Sequence, residues 1–505
     1  MPDDDERFEE QDGDPGEEGL VPATARRSLE QLRDNGQLFT ADGNLVDIAN
    51  GDKIRPLTTV GSLKYYLRRV MPGLDEKHYN PVAADILSNP TKTAGFPVLE
   101  RITTQPTFRP DFTLVPEGYD PITRLYYNPT PEVRVHAFNV EPTQADARLA
   151  LSKLQYLIAD FPFVDEASRT NTIAMLLTLV IRHAVDGVVP AWACNGLNEF
   201  SQNVGKGKIF KALITIALDK DVKTTTIPPT PTQMLQTLSA EVRNGAPYVV
   251  FDDIKAGYRL ESNDLNAFLT ADSWNCKVPG TIISYEVPVR LVVLFNGNNL
   301  KMSVDLTNRM CWSDLFHEET QRRNVNDFRI YKDHGIEFDE YLRENRLELL
   351  DAVVTLVLAW KKAGMPKRKA SSPLVKYGLW ERTVGGILEF AGADEFLANQ
   401  KAKSEAADDQ TGEIILFIDK LREQFPTIER STVQLAKIVP LMMPGGPLSD
   451  ILPRMPRSEN GLNITLGRFI KGLNGRVFGQ YKLMSKVGTG NKSEVWCPKV
   501  RGSKS

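Results

Sequence analysis

Cysteine and histidine are scarce in this 505-residue chain, with four of the first and five of the second. The cysteines, Cys194, Cys276, Cys311 and Cys497, lie far apart and form no Cys-x-x-Cys pair. The histidines form no ligand spacing either, so neither a disulfide framework nor a structural zinc site is expected. Long apolar runs are missing too. The longest, around Thr172–Ile181, is half the roughly 20 residues of a membrane span and is flanked by Asn171 and Arg182. No basic-then-apolar leader opens the chain; its first residues are acidic. The expectation is a protein of the reducing cytoplasm, with no membrane partner.

What is present is a soluble globular composition, 41% hydrophobic and 25% charged, in a chain too long for one ordinary core. The net charge of −4 hides an asymmetry. Residues 1–20 carry ten acids against Arg7, whereas residues 451–505 carry eleven bases against Glu459 and Glu494. The acidic head has Gly and Pro and almost no apolar residues, which suits a disordered tail over 1–22. The basic end suits either a nucleic-acid surface or a solvated terminus, and charge alone does not choose.

The periodicity divides the rest. Residues 23–140 read as a small α+β domain, with "GQLFTADGNLVDI" as a hairpin around Asp42-Gly43 and short strands after Phe96. From Thr143 two helical stripes follow, then alternating β and α units over 188–310. Strands are expected at "VVPAWAC", "APYVVFDDI" and "LVVLFNGNNL", with a hairpin at "KVPGTIISYEVPVR". This order predicts a three-layer α/β core with a parallel sheet over 141–334. Residues 335–405 read as helical, "KSEAADDQTG" as a polar linker, and 406–505 as helices followed by two strands about a Gly-rich turn.

Chemistry enters at "NVGKGKIFKAL", Asn203 to Leu213, where glycine–lysine pairs stand at the mouth of a helix. Glycines let backbone N–H groups converge on a phosphate, and the helix dipole adds to the attraction. A phosphate loop usually ends Gly-Lys-Ser or Gly-Lys-Thr, with the hydroxyl on magnesium. Here Gly207 follows Lys206 and Ile209 follows Lys208, so that hydroxyl is missing in either register. Helical phase separates the two lysines. Counted from Lys206, the buried places fall on Ile209, Phe210 and Leu213; counted from Lys208, the first falls on Lys211. Lys206 is therefore the expected phosphate lysine.

Three further groups follow in order. "YVVFDDI" ends a strand in Asp252 and Asp253, where a carboxylate would hold hydrated magnesium and orient water. "LFNGNN" ends the next strand in Asn296, Asn298 and Asn299, one of which could bond the γ-phosphate or the water. Arg309 in "DLTNRM" is spaced to leave the far side of the domain and reach a neighbouring subunit.

From about Phe96 to Gly392 the chain resembles the AAA+ helicase-type ATPases of phages, prophages and mobile elements, a group similar to superfamily III and MCM-like helicases and often joined to primase modules. The resemblance is carried by "FPVLERITTQPTFRPD", "GYDPITRLYY", "LIADFPFVDEASR", "VVFDDI", "LTADSWNCKVPG", "LFNGNNLKMSVDLTNRM" and "LRENRLELLDAVVTLVLAW". It implies an AAA+ P-loop core that uses ATP and Mg2+. Magnesium would sit on Asp252, with Asp253 at the neighbouring catalytic position. The phosphates would lie along Asn203, Val204, Gly205, Lys206, Gly207 and Lys208. Asn298 would be sensor 1, and Arg309 would act in trans. A pore hairpin would touch DNA near Lys277. The chain departs from the family in the missing loop hydroxyl, in a long run before the loop, and in ending its acid strand Asp-Asp rather than Asp-Glu.

At the C-terminus, "LGRFIKGLNGRVF" and the basic hairpin after it resemble a winged helix, implying DNA contacts from Arg468, Lys471, Arg476, Lys482, Lys486 and Lys492. The expected protein is a ring-forming homo-oligomeric ATPase, most simply a hexamer, that moves on single-stranded or forked DNA, with a primase or replication initiator as a candidate partner. The alternative is a weakly hydrolysing, nucleotide-binding DNA assembly protein, either an initiator or a helicase loader.

Overall fold

The computed structural model describes residues 25, 27–33, 36–41, 43–49, 53–88, 93, 95–197, 204–254, 259–277, 284–317, 325–369, 373–449, 451, 458–478, 481–487 and 493–499. The acidic head, Asn203 and Lys492 lie outside these, as do the side chains of Asp253, Lys277 and Arg476. The chain divides into two compact units, Met1–Ala137 and Phe138–Ser505.

In the first unit, β1 (Leu38–Ala41) and β2 (Asn44–Ala49) form the hairpin expected about Gly43, and β3 (Lys53–Pro56) extends it. Gly43 adopts φ +73°, the left-handed turn conformation that glycine allows. Helix α1 (Val60–Val70) starts at a Thr59/Ser62 capping box, and with α2 (Tyr79–Ser88) it buries Leu63, Tyr66, Leu67, Val82 and Ile86. Short strands β4 (Arg101–Thr103), β5 (Gly118–Asp120) and β6 (Leu125–Tyr127) make a second sheet. There Arg109 pairs with the buried Asp120 at 2.6 Å.

The second unit begins with α3 (Gln144–Leu157) and α4 (Glu166–Ile181), both capped by side chains at their N-termini (Thr143 and Asp165). Then come β7 (Ala191–Gly196), α5 (Lys206–Leu218), β8 (Thr224–Thr226), α6 (Pro231–Arg243) and β9 (Tyr248–Ile254). A short β10 (Arg259–Leu260) precedes α7 (Asn263–Phe268) and the hairpin of β11 (Ser273–Lys277) with β12 (Ser284–Pro288). After β13 (Val292–Asn298), β14 (Lys301–Met302) pairs with β10, and β15 (Met310–Leu315) completes the core.

The five-stranded parallel sheet has the order β15-β7-β13-β9-β8. Alternation along its strands builds two faces. Ala191, Ala193, Phe251 and Phe295 pack with Met234, Leu238 and Val242 of α6 and with Phe268 of α7. Trp192, on the opposite face, meets Phe210 of α5 at 5.0 Å between ring centroids. Every residue of β7 is buried, as a central parallel strand covered on both sides requires.

Helices α8 (Arg329–His334), α9 (Phe338–Glu344), α10 (Arg346–Lys362) and α11 (Gly378–Ala391) follow. The expected polar linker is replaced by α12 (Gln400–Gln424), which runs unbroken through "KSEAADDQTG", so a boundary at 405/406 falls inside a helix. Ala and Glu favour the helix locally, and Gly412 costs only about 1 kcal/mol. Packing at both ends outweighs it: Gln400 bonds Thr307 near the sheet, and Ile414, Phe417 and Leu421 join the C-terminal core. That core also takes Leu462, Leu466 and Ile470 of α13 (Glu459–Gly472). It is covered by a sheet of β16 (Val433–Gln434), β17 (Arg476–Phe478), β18 (Tyr481–Val487) and β19 (Ser493–Trp496), in the order β16-β19-β18-β17. Among the described residues, no helix is long and apolar enough to cross a membrane. All four cysteines are buried, and none is in a disulfide among the described residues.

Candidate active site at the strand tips

The sheet's connections leave β7 and β13 in opposite directions. The chain runs from β7 by α5 to β8 at one edge, and from β13 to β15 at the other. In open α/β sheets the crevice beyond such a switch point is where ligands bind. The candidate residues converge there.

Gly205 stands before α5 with φ +89° and no side-chain cap, and its carbonyl accepts from Lys208 N at 2.9 Å. A side chain there would be strained, and its Cβ would lie 2.8 Å from Phe161 Cε1. Lys206, the first residue of α5, is only 7% exposed. Its Nζ donates to Asn298 Oδ1 at 2.5 Å. Asn298 ends β13 opposite Gly196 of β7. Two residues earlier on the same face, Asn296 Nδ2 donates to Asp252 Oδ1 at 2.7 Å. The Asn296 Oδ1 is buried and has no hydrogen-bond partner among the described residues.

Burial pushes the Lys206 ammonium below its usual pKa, against the opposing pull of Cys194 and Asp252. Burial also drives the Cys194 thiol well up, so it stays neutral beside the lysine. A buried cation, a carboxylate and two amides thus meet at the positive end of the α5 dipole. This set suits a polyanion: the ammonium gains a partner worth its desolvation, and the amides can donate or accept at its edge.

The phase of α5 leaves Ile209, Phe210 and Leu213 buried and Lys208 and Lys211 half-buried or exposed. Lys208 faces α9, with its Nζ 5.6 Å from the Phe338 ring and 4.0 Å from Asp339. Lys211 pairs with the same carboxylate at 2.9 Å. Phe338 in turn meets Phe161 edge-on at 5.6 Å, so α9 is held against the start of α5. Val204 is buried beside Gly205.

Arg309 is not brought to this cluster. Its carbonyl accepts from Ala191 N, at the start of β7, so it sits at the opposite end of the strands. Six strand residues, at about 3.3 Å each, put roughly 20 Å between it and the tips. Its Nη1 donates to Asp305 O at 2.5 Å, while its Nε is buried without a hydrogen-bond partner among the described residues.

Lys277 ends β11, in register with Ser284. Arg468 and Lys471 are exposed on α13, Lys482 is half-buried on β18, and Arg476 begins β17. Lys486 is exposed and lies 3.7 Å from Glu494.

The residues alone leave Asn296, Asn298 and Asn299 as equal candidates, and only the family resemblance selects Asn298. The period of two, which puts 296 and 298 on one face and 299 off it, is the signal that points to Asn296 as well. Phe161 carries no comparable signal, because its contact with Gly205 depends on what folds against it.

No protein-family model matches the chain, and no curated protein matches it. Among solved structures, it is similar to the apo A form of the NrS-1 C-terminal region, at TM-score 0.38 and 13% identity, covering 88% of this chain and 87% of that one. It is also similar to a chain titled SCCmec type IV Cch, active helicase, at TM-score 0.30 and 11% identity, covering 90% of each. At these TM-scores neither likeness bears on the roles of residues.

Proposed function

We propose that the protein is an ATP-dependent DNA helicase or translocase of the AAA+ type, working as a ring, most simply a hexamer, in replication of a phage or mobile element. One observation carries the reading: the Lys206–Asn298 and Asn296–Asp252 bonds lie side by side at the switch point of a parallel sheet. Lys206 would release Asn298 to meet the β- and γ-phosphates, freeing the Asn298 amide to orient water or the γ-phosphate. Asp252 would hold the metal-bound water shell, and Asp253, next along the strand, is the candidate for positioning the attacking water.

The residues fit magnesium. Asp252 supplies the carboxylate, and the orphaned Asn296 Oδ1 can accept from a metal-bound water. The chemistry a bound magnesium ion supplies is neutralisation of charge on the β- and γ-phosphate oxygens. Arg309, roughly 20 Å from its own strand tips, suits a neighbour's nucleotide instead. DNA would be met at Lys277 and on the C-terminal block. The test of the whole reading is ATP hydrolysis measured with and without single-stranded DNA; absence of Lys206-dependent turnover in both conditions would sink it.

The weaker-hydrolysing alternative draws on Gly207, which stands where phosphate loops place a magnesium-binding hydroxyl. Among the described residues, leaving aside its chain neighbours and its own helix backbone, no atom lies within 4 Å of where a side chain would begin there. Gly207→Ser should therefore fit without repacking and raise turnover severalfold at limiting magnesium. A magnesium titration unchanged by the substitution would mean that the metal is not held beside α5.

For the C-terminal block, truncation would strip Phe417 and Leu421 of their core partners, so point changes are the better probe. Arg468→Ala with Lys471→Ala, both exposed, should weaken DNA binding and reduce the log–log salt slope by up to about 1.8, at roughly 0.9 per phosphate contact on duplex. An unchanged slope in fluorescence-anisotropy titrations would assign DNA binding elsewhere.

A further inference from the structure

The loop that carries Asn298 is held by a chain of buried polar groups leading away from the site. Beyond Asn298, Asn299 takes φ +50° and its N–H donates to Gly196 O at 2.6 Å. The next amide, Leu300 N–H, donates to Asn195 Oδ1 at 2.8 Å. The other end of that side chain, Asn195 Nδ2, donates to Asp314 Oδ1 at 2.9 Å. Asp314 Oδ2 meets Lys403 Nζ at 2.5 Å, and Lys403 also lies over the Trp312 ring at 4.6 Å. The Asp314 and Lys403 side chains are 8% and 19% exposed.

The polarity of this chain is determined at Asp314. An ionised carboxylate only accepts, so it admits the NH2 end of Asn195 and turns the carbonyl end toward Leu300 N–H. A buried carboxylate needs a counter-charge, which Lys403 supplies from the first turn of α12. The far end of α12 belongs to the C-terminal core. We infer that Asp314 and Lys403 are positioning residues that, acting through Asn195, hold the Asn298 loop in register with Lys206. They also tie α12, and with it the C-terminal block, to the site. The catalytic consequence rests on the nucleotide reading above; the positional one does not.

The test uses the full-length protein and three variants: Asp314→Asn, the neutral pair Asp314→Asn with Lys403→Met, and Lys403→Arg. The neutral pair leaves no unbalanced buried charge, so it should keep its fold and melt near wild type. An amide at 314 can donate as well as accept, so Asn195 is free to flip and Leu300 N–H loses its partner. Hydrogen exchange, read by mass spectrometry on peptides spanning 295–302, should accelerate about tenfold in both variants that carry Asp314→Asn and stay near wild type in Lys403→Arg. With ATP as substrate, kcat should fall about ten- to a hundredfold in those two variants with KM nearly unchanged, the pattern of a misplaced catalytic group.

Unchanged exchange in the folded neutral pair would overturn the positioning chain, whatever its turnover. A wild type with no Lys206-dependent ATP turnover would instead remove the nucleotide reading and leave the exchange result standing.

Discussion

Lys206→Met is expected to abolish ATP-induced stabilisation and to lower turnover at least about 10²–10³-fold, the scale of losing one preorganised donor to developing charge. Lys208→Ala should keep near-normal turnover, because Lys208 faces Phe338 and Asp339 rather than the strand tips. The same pair separates function from stability. Burial holds the Lys206 pKa below that of the unfolded chain, about 10.4. Between those two values the unfolded state binds more protons, so apo stability rises with pH through that alkaline window. Below it, the native protein carries the full cost of the buried charge. Lys206→Met removes this cost, so the apo protein should melt no lower at neutral pH and its alkaline rise should flatten. ATP titrations followed by thermal melting across pH check both points. A dead Lys208→Ala beside a working Lys206→Met would overturn the register.

Arg309→Ala should bind ATP almost as wild type does and lose about 10³–10⁵ in hydrolysis, the contribution of an arginine supplied to a transferring phosphate. Arg309 is roughly 20 Å from its own strand tips, by the six-residue length of β15. Its Nη1 meets Asp305 of its own chain, 3.8 Å from the carboxylate, a contact it would have to give up to reach a neighbour's phosphate. Mixing Arg309→Ala with Asp252→Ala subunits should recover part of the activity, since one interface then combines an intact acid with an intact arginine. A strictly monomeric protein with full activity, or a mixture that stays dead while each variant still assembles with wild type, would refute action in trans.

Much of this site was legible in one dimension because its parts obey local rules. The phase of Ile209, Phe210 and Leu213 separates Lys206 from Lys208, whereas the choice of Asn298 among the asparagines comes from the family resemblance and not from the residues themselves. Apolar runs ending in Asp252 and in the asparagines marked two strand tips. The α/β order, the hairpin around Gly43 and the helical stripes from Thr143 were equally local, since each follows from side-chain period and turn chemistry.

Tertiary structure decided the rest, because the rest consists of which elements become neighbours. Periodicity is silent on strand order, and only the placing of β15 beside β7 brings Asp314 to Asn195. The contact of Asn296 with Asp252 depends on the register of β13 against β9, which shifts between Phe295 and Gly297. The stretch "KSEAADDQTG" reads as a linker from its polar residues and glycine, yet it is helix, since Lys403 is anchored at the sheet and Phe417 in the C-terminal core. Local propensity there is worth about 1 kcal/mol at most per residue, and two anchored ends outweigh it.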